Sequence, residues 1–384
     1  MDSKYDALKK AFEKNKWKFQ ESEDLFTCIS VKNKNDMWLY NYNDNILVDR
    51  NHPILIKCRG LVVYSSGKIL NYPFERFFNY WEKEHSKIDW NTAEIQEKVD
   101  GSLICVFWNG KDFEVTTKGS FYPNEKADVD FSKLFKERFD NFDLLDKNNC
   151  YMFELITKHN WIVKWYEDER IYLIGARNLT TFKEISQTEL DGIAKDINVF
   201  RPKRYSADSF DKCKSLFESF KDDDEGLVVV DSNFNRVKVK QESYLKLAKI
   251  KMLKEQDIFD YVLGKTQIDK EFLDKLPEVV NTVNFISTYW NQVKQEISAV
   301  FEKHKNKGTR KDFALKIIKF PYKSVLFSML DNKDINSLNL KWKIVKEWSP
   351  HSFIQIAKQF GFPTENLFNK DPDNMFNNRR CLTR

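Results

Sequence analysis

The sequence predicts an α+β protein: residues 1–245 built on antiparallel β-sheets with flanking helices, and an all-α part over 246–384. Three observations predict it. In the first part, short runs rich in Val, Ile, Phe and Tyr meet across glycine or asparagine turns, and hairpins need no crossover helix. After Gln241 the apolar residues recur with a helical period. The chain has 384 residues, more than the ~150 of one ordinary domain.

Leu55–Tyr64 and Lys68–Tyr72 read as a hairpin with Gly67 in its turn. Ala93–Trp108 and Phe113–Lys118 read as a second, closed at Asn109–Gly110, a dipeptide that tolerates tight-turn dihedrals. Cys150–Thr157, Trp161–Tyr166 and Arg170–Asn178 are further β-rich runs, and Glu225–Lys240 is a third hairpin turning at Ser232–Asn235. Helices fit at 4–17, 131–146 and 207–220. Pro277 opens a long helix whose apolar face is Val279, Val283, Ile286, Trp290, Val293, Ile297 and Val300, and Gly308 ends it. Phe313, Ile317 and Phe320 form a shorter stripe before Pro321. Ser349–Pro350 starts a last helix, with Gly361 past its end.

Composition excludes several classes. Aromatics make up 15% of the chain, far from a disordered composition. No apolar run approaches the ~20 residues of a membrane span, and the first residues lack the apolar core of a signal peptide. The expectation is a cytoplasmic protein without membrane attachment, and a monomer. Six scattered cysteines and five scattered histidines form no CxxC or HExxH pattern, so a zinc site is not expected. Gly264–Lys265–Thr266 is only the end of a phosphate-loop pattern, with Phe259 where its first glycine belongs. Residues 1–244 carry 38 Lys+Arg against 42 Asp+Glu, whereas 245–384 carry 25 against 16. A basic C-terminal part suggests contact with a polyanion.

The chemistry is concentrated in an ordered set. Lys98–Val99–Asp100–Gly101 lies between two strands; Glu154 follows 56 residues later, Glu225 a further 71, and Lys238 and Lys240 close the last hairpin. Upstream, Arg59, in Cys58–Arg59–Gly60, sits at the end of its own strand. A lysine attacks only as the neutral amine, and neighbouring cations lower its pKa. Lys238 and Lys240 alternate with valines, so both point from one strand face; there they suit a triphosphate and are expected to keep Lys98 neutral. Glu225 is a hard oxygen donor suited to Mg²⁺. Glu154 suits ribose hydroxyls, and Arg59 offers a planar fork to phosphate. Together these residues describe covalent nucleotidyl transfer, with Lys98 attacking an α-phosphate.

The order KxDG, FE, EGLVV and KVK resembles the covalent lysine nucleotidyltransferases, and more finely the phage-type RNA ligase 1 family of tRNA-repair enzymes. Leu39–Tyr42, Glu75–Asn79, Thr117–Ser120 and Tyr244 carry the closer resemblance. It implies that residues 1–245 are an adenylyltransferase domain and that 246–384 select RNA, namely a tRNA nicked in its anticodon loop. It also implies ATP as AMP donor, Mg²⁺ replaceable by Mn²⁺, and a polynucleotide kinase/phosphatase as functional partner. By position, Lys98 is the nucleophile; Tyr40, Arg59, Arg76, Lys118, Glu154, Lys238 and Lys240 contact ATP; Tyr244 serves ligation; and Glu225 and Asp269 serve the metal. Two residues depart from the family pattern: Arg76 stands where a lysine is expected, and Trp161 where an arginine is usual. The alternatives are a non-catalytic tRNA-binding protein, a DNA ligase or a capping guanylyltransferase; the last two normally append an all-β barrel.

Overall fold

The computed structural model describes residues 3–43, 48–122, 130–158, 162–306 and 308–362. It divides into two compact units, Met1–Leu245 and Lys246–Arg384.

The first unit holds three sheets. β1 (Ile29–Lys34), β2 (Met37–Tyr42), β3 (Arg59–Tyr64) and β4 (Ile69–Asn71) form an antiparallel meander. β5 (Phe78–Asn79) and β6 (Glu94–Glu97) join another sheet described below. β7 (Ser102–Trp108), β8 (Phe113–Thr117), β9 (Asn149–Ile156) and β10 (Arg170–Asn178) make an antiparallel sheet in the order β10-β9-β7-β8. β11 (Arg204–Tyr205), β12 (Gly226–Val230) and β13 (Arg236–Lys240) complete the third, in the order β11-β6-β12-β13-β5. Only the short β13–β5 pair is parallel among these strands.

Alternation decides the packing, because successive strand residues face opposite sides. Leu39 and Val62 from the first sheet meet Cys105, Phe107, Cys150 and Met152 from the second. The other face of the first sheet packs under the helix Asp6–Lys14 through Leu8, Ala11 and Phe12. The far face of the second sheet buries Phe135, Phe139 and Phe153. The five cysteines in the described residues are all buried and unbridged; Cys381 lies outside them.

The α+β expectation holds, with antiparallel sheets, and three details differ. Pro53–Lys57 is a helix, so the first hairpin arm begins at Arg59; Pro53 at the start of this helix costs no hydrogen bond there. Ala93–Trp108 is not one arm, because β6 pairs with β12 and β7 with β9. The chain changes sheet at Lys98–Gly101. Residues 162–166 contain no strand, despite their apolar character, and Trp161 lies outside the described residues.

In the second unit every regular element among the described residues is helical. Pro277–His304 is the 28-residue axis, with Pro277 in its first turn. Its buried face keeps Val279, Ile286, Trp290, Val293 and Ile297, and adds Thr282, Phe285 and Tyr289 in place of Val283 and Val300. Tyr289 reaches the axis core because its hydroxyl donates to the Val345 carbonyl at 3.0 Å. Ser349 precedes the helix Pro350–Gln359 as expected, but its hydroxyl bonds Glu296 and Ser352 rather than capping.

Gly226 sits at φ +132°, and a Cβ there would lie 2.3 Å from the Val239 carbonyl oxygen. Gly226→Ala should therefore destabilise the first unit by roughly 2–4 kcal/mol, from backbone strain plus overpacking. Urea unfolding would check this; a loss below about 0.5 kcal/mol, the ordinary surface range, would contradict it.

Candidate active site

Three neighbouring strands of the third sheet assemble the centre. Leu227 of β12 pairs with Glu97 of β6, and Gly226 pairs with Lys240 of β13. The Lys98 backbone N–H donates to the Gly226 carbonyl at 2.8 Å. Glu225, one residue before β12, is thereby placed between two lysines. Its Oε2 lies 2.7 Å from Lys98 Nζ and its Oε1 2.7 Å from Lys240 Nζ. The Glu225 side chain is only 6% exposed. Burial favours its neutral acid, but the two ammonium groups outweigh this and hold it below the usual carboxylate range. Removing one partner from such a buried set typically costs about 3–5 kcal/mol, because a charge is left uncompensated.

Lys98 departs from expectation in its charge. Burial opposes the ammonium, yet Glu225 and Glu154 overcome it and raise the pKa above the ordinary lysine value. The neighbouring cations instead act on Lys238. Burial, Lys98, Arg59 and Lys240 together lower its pKa to about 7. The physics of a depressed lysine is present in this site, but at the residue 140 positions later in the chain. Glu154 also titrates near neutrality: burial raises it to about 7, with Lys98 opposing and Glu225 reinforcing. Its Oε1 accepts the Gly101 N–H at 3.2 Å, which holds the carboxyl against the turn that follows Lys98.

That turn is locked from behind. Asp100, almost fully buried, accepts the Tyr244 hydroxyl at 2.9 Å and the backbone N–H groups of Val163 and Lys164 at 2.9 and 3.0 Å. The Asp100 N–H donates to the Tyr166 hydroxyl at 3.2 Å. Burial drives the Tyr244 phenol far up, with Glu225 and Asp100 adding to it, so it stays a donor. Tyr244 thus anchors the Lys98 turn through Asp100. The 162–166 run, read as a strand, instead folds into a clamp on Asp100.

Arg59, Phe74, Phe77, Lys98, Glu154 and Arg236 line a common pocket. Phe77 has the Arg59 guanidinium at 5.5 Å and Lys238 Nζ at 5.1 Å from its ring centre. Arg76 lies 4.4 Å from the Tyr42 ring centre and 5.1 Å from that of Phe78, with Lys118 Nζ 4.8 Å from the same Tyr42 ring. The planar guanidinium fits between two rings where an ammonium would not stack, which accounts for arginine at position 76. Nη1 of Arg59 and of Arg76 are buried with no hydrogen-bond partner among the described residues. The unsatisfied Arg59 donor in this pocket suits an anionic ligand.

Two expected residues fall elsewhere. Tyr40 is fully buried in the core under the first helix, its hydroxyl on the Lys4 carbonyl at 2.9 Å. A register shift between Tyr40 and Asn41 breaks the strand's alternation, and Tyr42 is the tyrosine that meets the cations. Asp269 is an exposed N-cap that accepts the Glu271 N–H at 3.2 Å. Arg236 was missed, although it continues the Lys238, Lys240 alternation toward the strand start. Asp100 stood in the motif without a role, and its partners Tyr166 and Val163 gave no signal before the loop folded.

Residues 57–245 match the family model described as RNA ligase. A Rhodothermus phage RM378 protein named RNA ligase is 24% identical over 83% of this chain and 90% of its own length. An Autographa californica nuclear polyhedrosis virus protein, named as a bifunctional polynucleotide kinase/RNA ligase, is 28% identical over 58% of this chain. The chain spans only 35% of that viral relative. A Naegleria gruberi RNA ligase mutant solved with ATP and Mn is similar over 41% of this chain and 52% of its own, at 16% identity and a TM-score of 0.35.

Tyr244→Phe removes one donor from buried Asp100. It should lower stability by about 1–3 kcal/mol, the cost of an unsatisfied buried acceptor. Thermal unfolding would check this, and an unchanged midpoint would contradict the anchoring role.

Proposed function

We propose that this chain, whose residues 57–245 match the RNA ligase family model, is an ATP-dependent RNA ligase working through a Lys98–AMP intermediate. One observation carries the reading: Lys98, Glu225 and Lys240 meet at the ends of three adjoining strands, and Lys98 shares a pocket with Arg59, whose Nη1 is buried without a partner among the described residues. Lys98 Nζ attacks the α-phosphorus of ATP; the new P–N bond forms as the P–O bond to pyrophosphate breaks. The AMP moves to an RNA 5′-phosphate, and an RNA 3′-hydroxyl then displaces it. Arg59, Arg76, Lys118, Lys238 and Lys240 hold the phosphates, and Glu154 the ribose.

Lys98 must shed a proton before it attacks. Glu154 titrates near neutrality and is the group able to take it. Glu225 fits a divalent cation as a single carboxylate: the described residues contain no group of three or more His, Cys, Asp or Glu arranged for a metal. One carboxylate with substrate phosphates and water is the usual magnesium environment, and Mn²⁺ would serve likewise. When bound, the cation would neutralise phosphate charge. Asp269, as a helix cap, has no support as its second ligand.

The substrate is proposed to be a cleaved tRNA, selected by the basic part 246–384, with a polynucleotide kinase preparing the ends. The kinase named in the viral relative supports the last point. Among the described residues every regular element of the second unit is helical, whereas DNA ligases and capping enzymes normally place a β-barrel after this domain; this supports RNA joining over those alternatives.

Incubation with α-labelled ATP and Mg²⁺ should leave label on the denatured protein, and GTP should not. Lys98→Ala should abolish it. The label should then pass to 5′-phosphorylated RNA in preference to DNA. An unlabelled wild-type protein would sink the reading.

The charge state of Lys238 gives a pH test. In the free protein its pKa is lowered to about 7, so it is mostly neutral at higher pH. A bound triphosphate restores the ammonium. ATP binding at a pH between about 7.5 and 9 should therefore take up protons and weaken as pH rises. Calorimetry in two buffers of different ionisation heat measures this uptake. Lys238→Met should remove it; uptake unchanged in that variant would overturn the assignment.

A further inference from the structure

The chain approaches Glu225 through an acidic run, Asp222–Asp223–Asp224, and approaches Lys98 through Glu97. These carboxylates crowd a centre that must accept a polyphosphate. The register of β6 against β12 puts Glu97 opposite Leu227, close to the turn that carries Asp224. Left alone, Glu97 and Asp224 would repel the incoming anion and each other.

One cation stands between them. Lys164 Nζ bonds Asp224 Oδ1 and lies 3.9 Å from Glu97 Oε1. Its side chain is 20% exposed, so it is held rather than free in solvent. The other Asp224 oxygen accepts the Lys221 N–H at 2.8 Å, which fixes the carboxylate toward the lysine. Lys164 Nζ also lies 5.0 Å from the Tyr166 ring centre. At its other end, the Lys164 backbone N–H donates to Asp100 at 3.0 Å. A single residue thus ties the Lys98 turn by its main chain and neutralises the two flanking acids by its side chain.

We propose that Lys164 is a positioning residue for adenylylation, a fixed counter-cation that cancels Glu97 and Asp224 so that ATP phosphates can settle beside Lys98 and Lys240. This rests on the reading that Lys98 is the adenylylated residue. Lys164 itself touches neither ATP nor the reacting atoms. Its loss unmasks negative charge, so ATP capture suffers while turnover of bound ATP is spared. Glutamine at 97 and asparagine at 224 remove that charge and make the lysine unnecessary.

The experiment measures formation of labelled protein against ATP concentration for the full chain. Wild type runs first, because absence of label there rejects the underlying reading and leaves nothing for Lys164 to assist. With wild type active, Lys164→Met should raise the KM for ATP on the order of tenfold, as one uncompensated charge in a partly screened site implies, with the rate at saturating ATP within about twofold. Lys164→Arg should stay close to wild type. The triple variant Lys164→Met/Glu97→Gln/Asp224→Asn, which carries no buried charge imbalance and guards against misfolding of the single variant, should return KM toward wild type. The proposal is overturned if Lys164→Met binds ATP as wild type does, if it loses the saturated rate instead of KM, or if the triple variant stays as impaired as the single one.

Discussion

The rest of the site depends on one buried carboxylate. Glu225 spends both oxygens on lysines that come from different strands, at 2.7 Å each. Two cations this close are tolerable only with an anion between them. The sheet order β6-β12-β13 exists to supply that arrangement, since Lys98 leaves the first strand, Glu225 enters the second and Lys240 ends the third. In the free protein the carboxylate favours the charged form of Lys98 and holds its nitrogen in place.

The turn bearing Lys98 belongs to neither sheet, because the chain passes there from the third sheet to the second. A side chain at such a crossing lacks ladder hydrogen bonds on one side and must be fixed by other means. Asp100 does this with four bonds, two from backbone N–H groups, one from Tyr244 and one through its own N–H to Tyr166. Gly101 is required by the same closeness, since a Cβ there would lie 2.6 Å from the Leu155 carbonyl oxygen.

Much of this is legible in the sequence. The hairpins at 59–72, 102–117 and 226–240 follow from alternation and turn residues, and the long helix from its Pro277 start and apolar face. The ordered motif residues Lys98, Glu154, Glu225, Lys238 and Lys240 gather as their spacing implied. What escaped has a common physical cause: it depends on which partner a residue meets. Residues 162–166 have the composition of a strand, but the backbone N–H groups of Val163 and Lys164 go to Asp100 instead of a ladder. Tyr40 and Tyr42 share a strand, and only a register shift decides which one reaches the cations. The protonation of Lys98 was misjudged because the cations were counted and Glu225 was assigned to metal alone.

The site therefore contains two lysines with opposite tendencies, Lys98 held as an ammonium by carboxylates and Lys238 pushed toward the amine by cations. On the proposed reading, geometry rather than resting pKa selects Lys98 over Lys238 as the nucleophile. Peptide mapping by mass spectrometry of the protein after reaction with ATP and Mg²⁺ addresses that most directly. The account predicts a single adenylate on the peptide containing Lys98 and none on the peptide containing Lys238. An adenylate on Lys238, or on neither lysine, would contradict it.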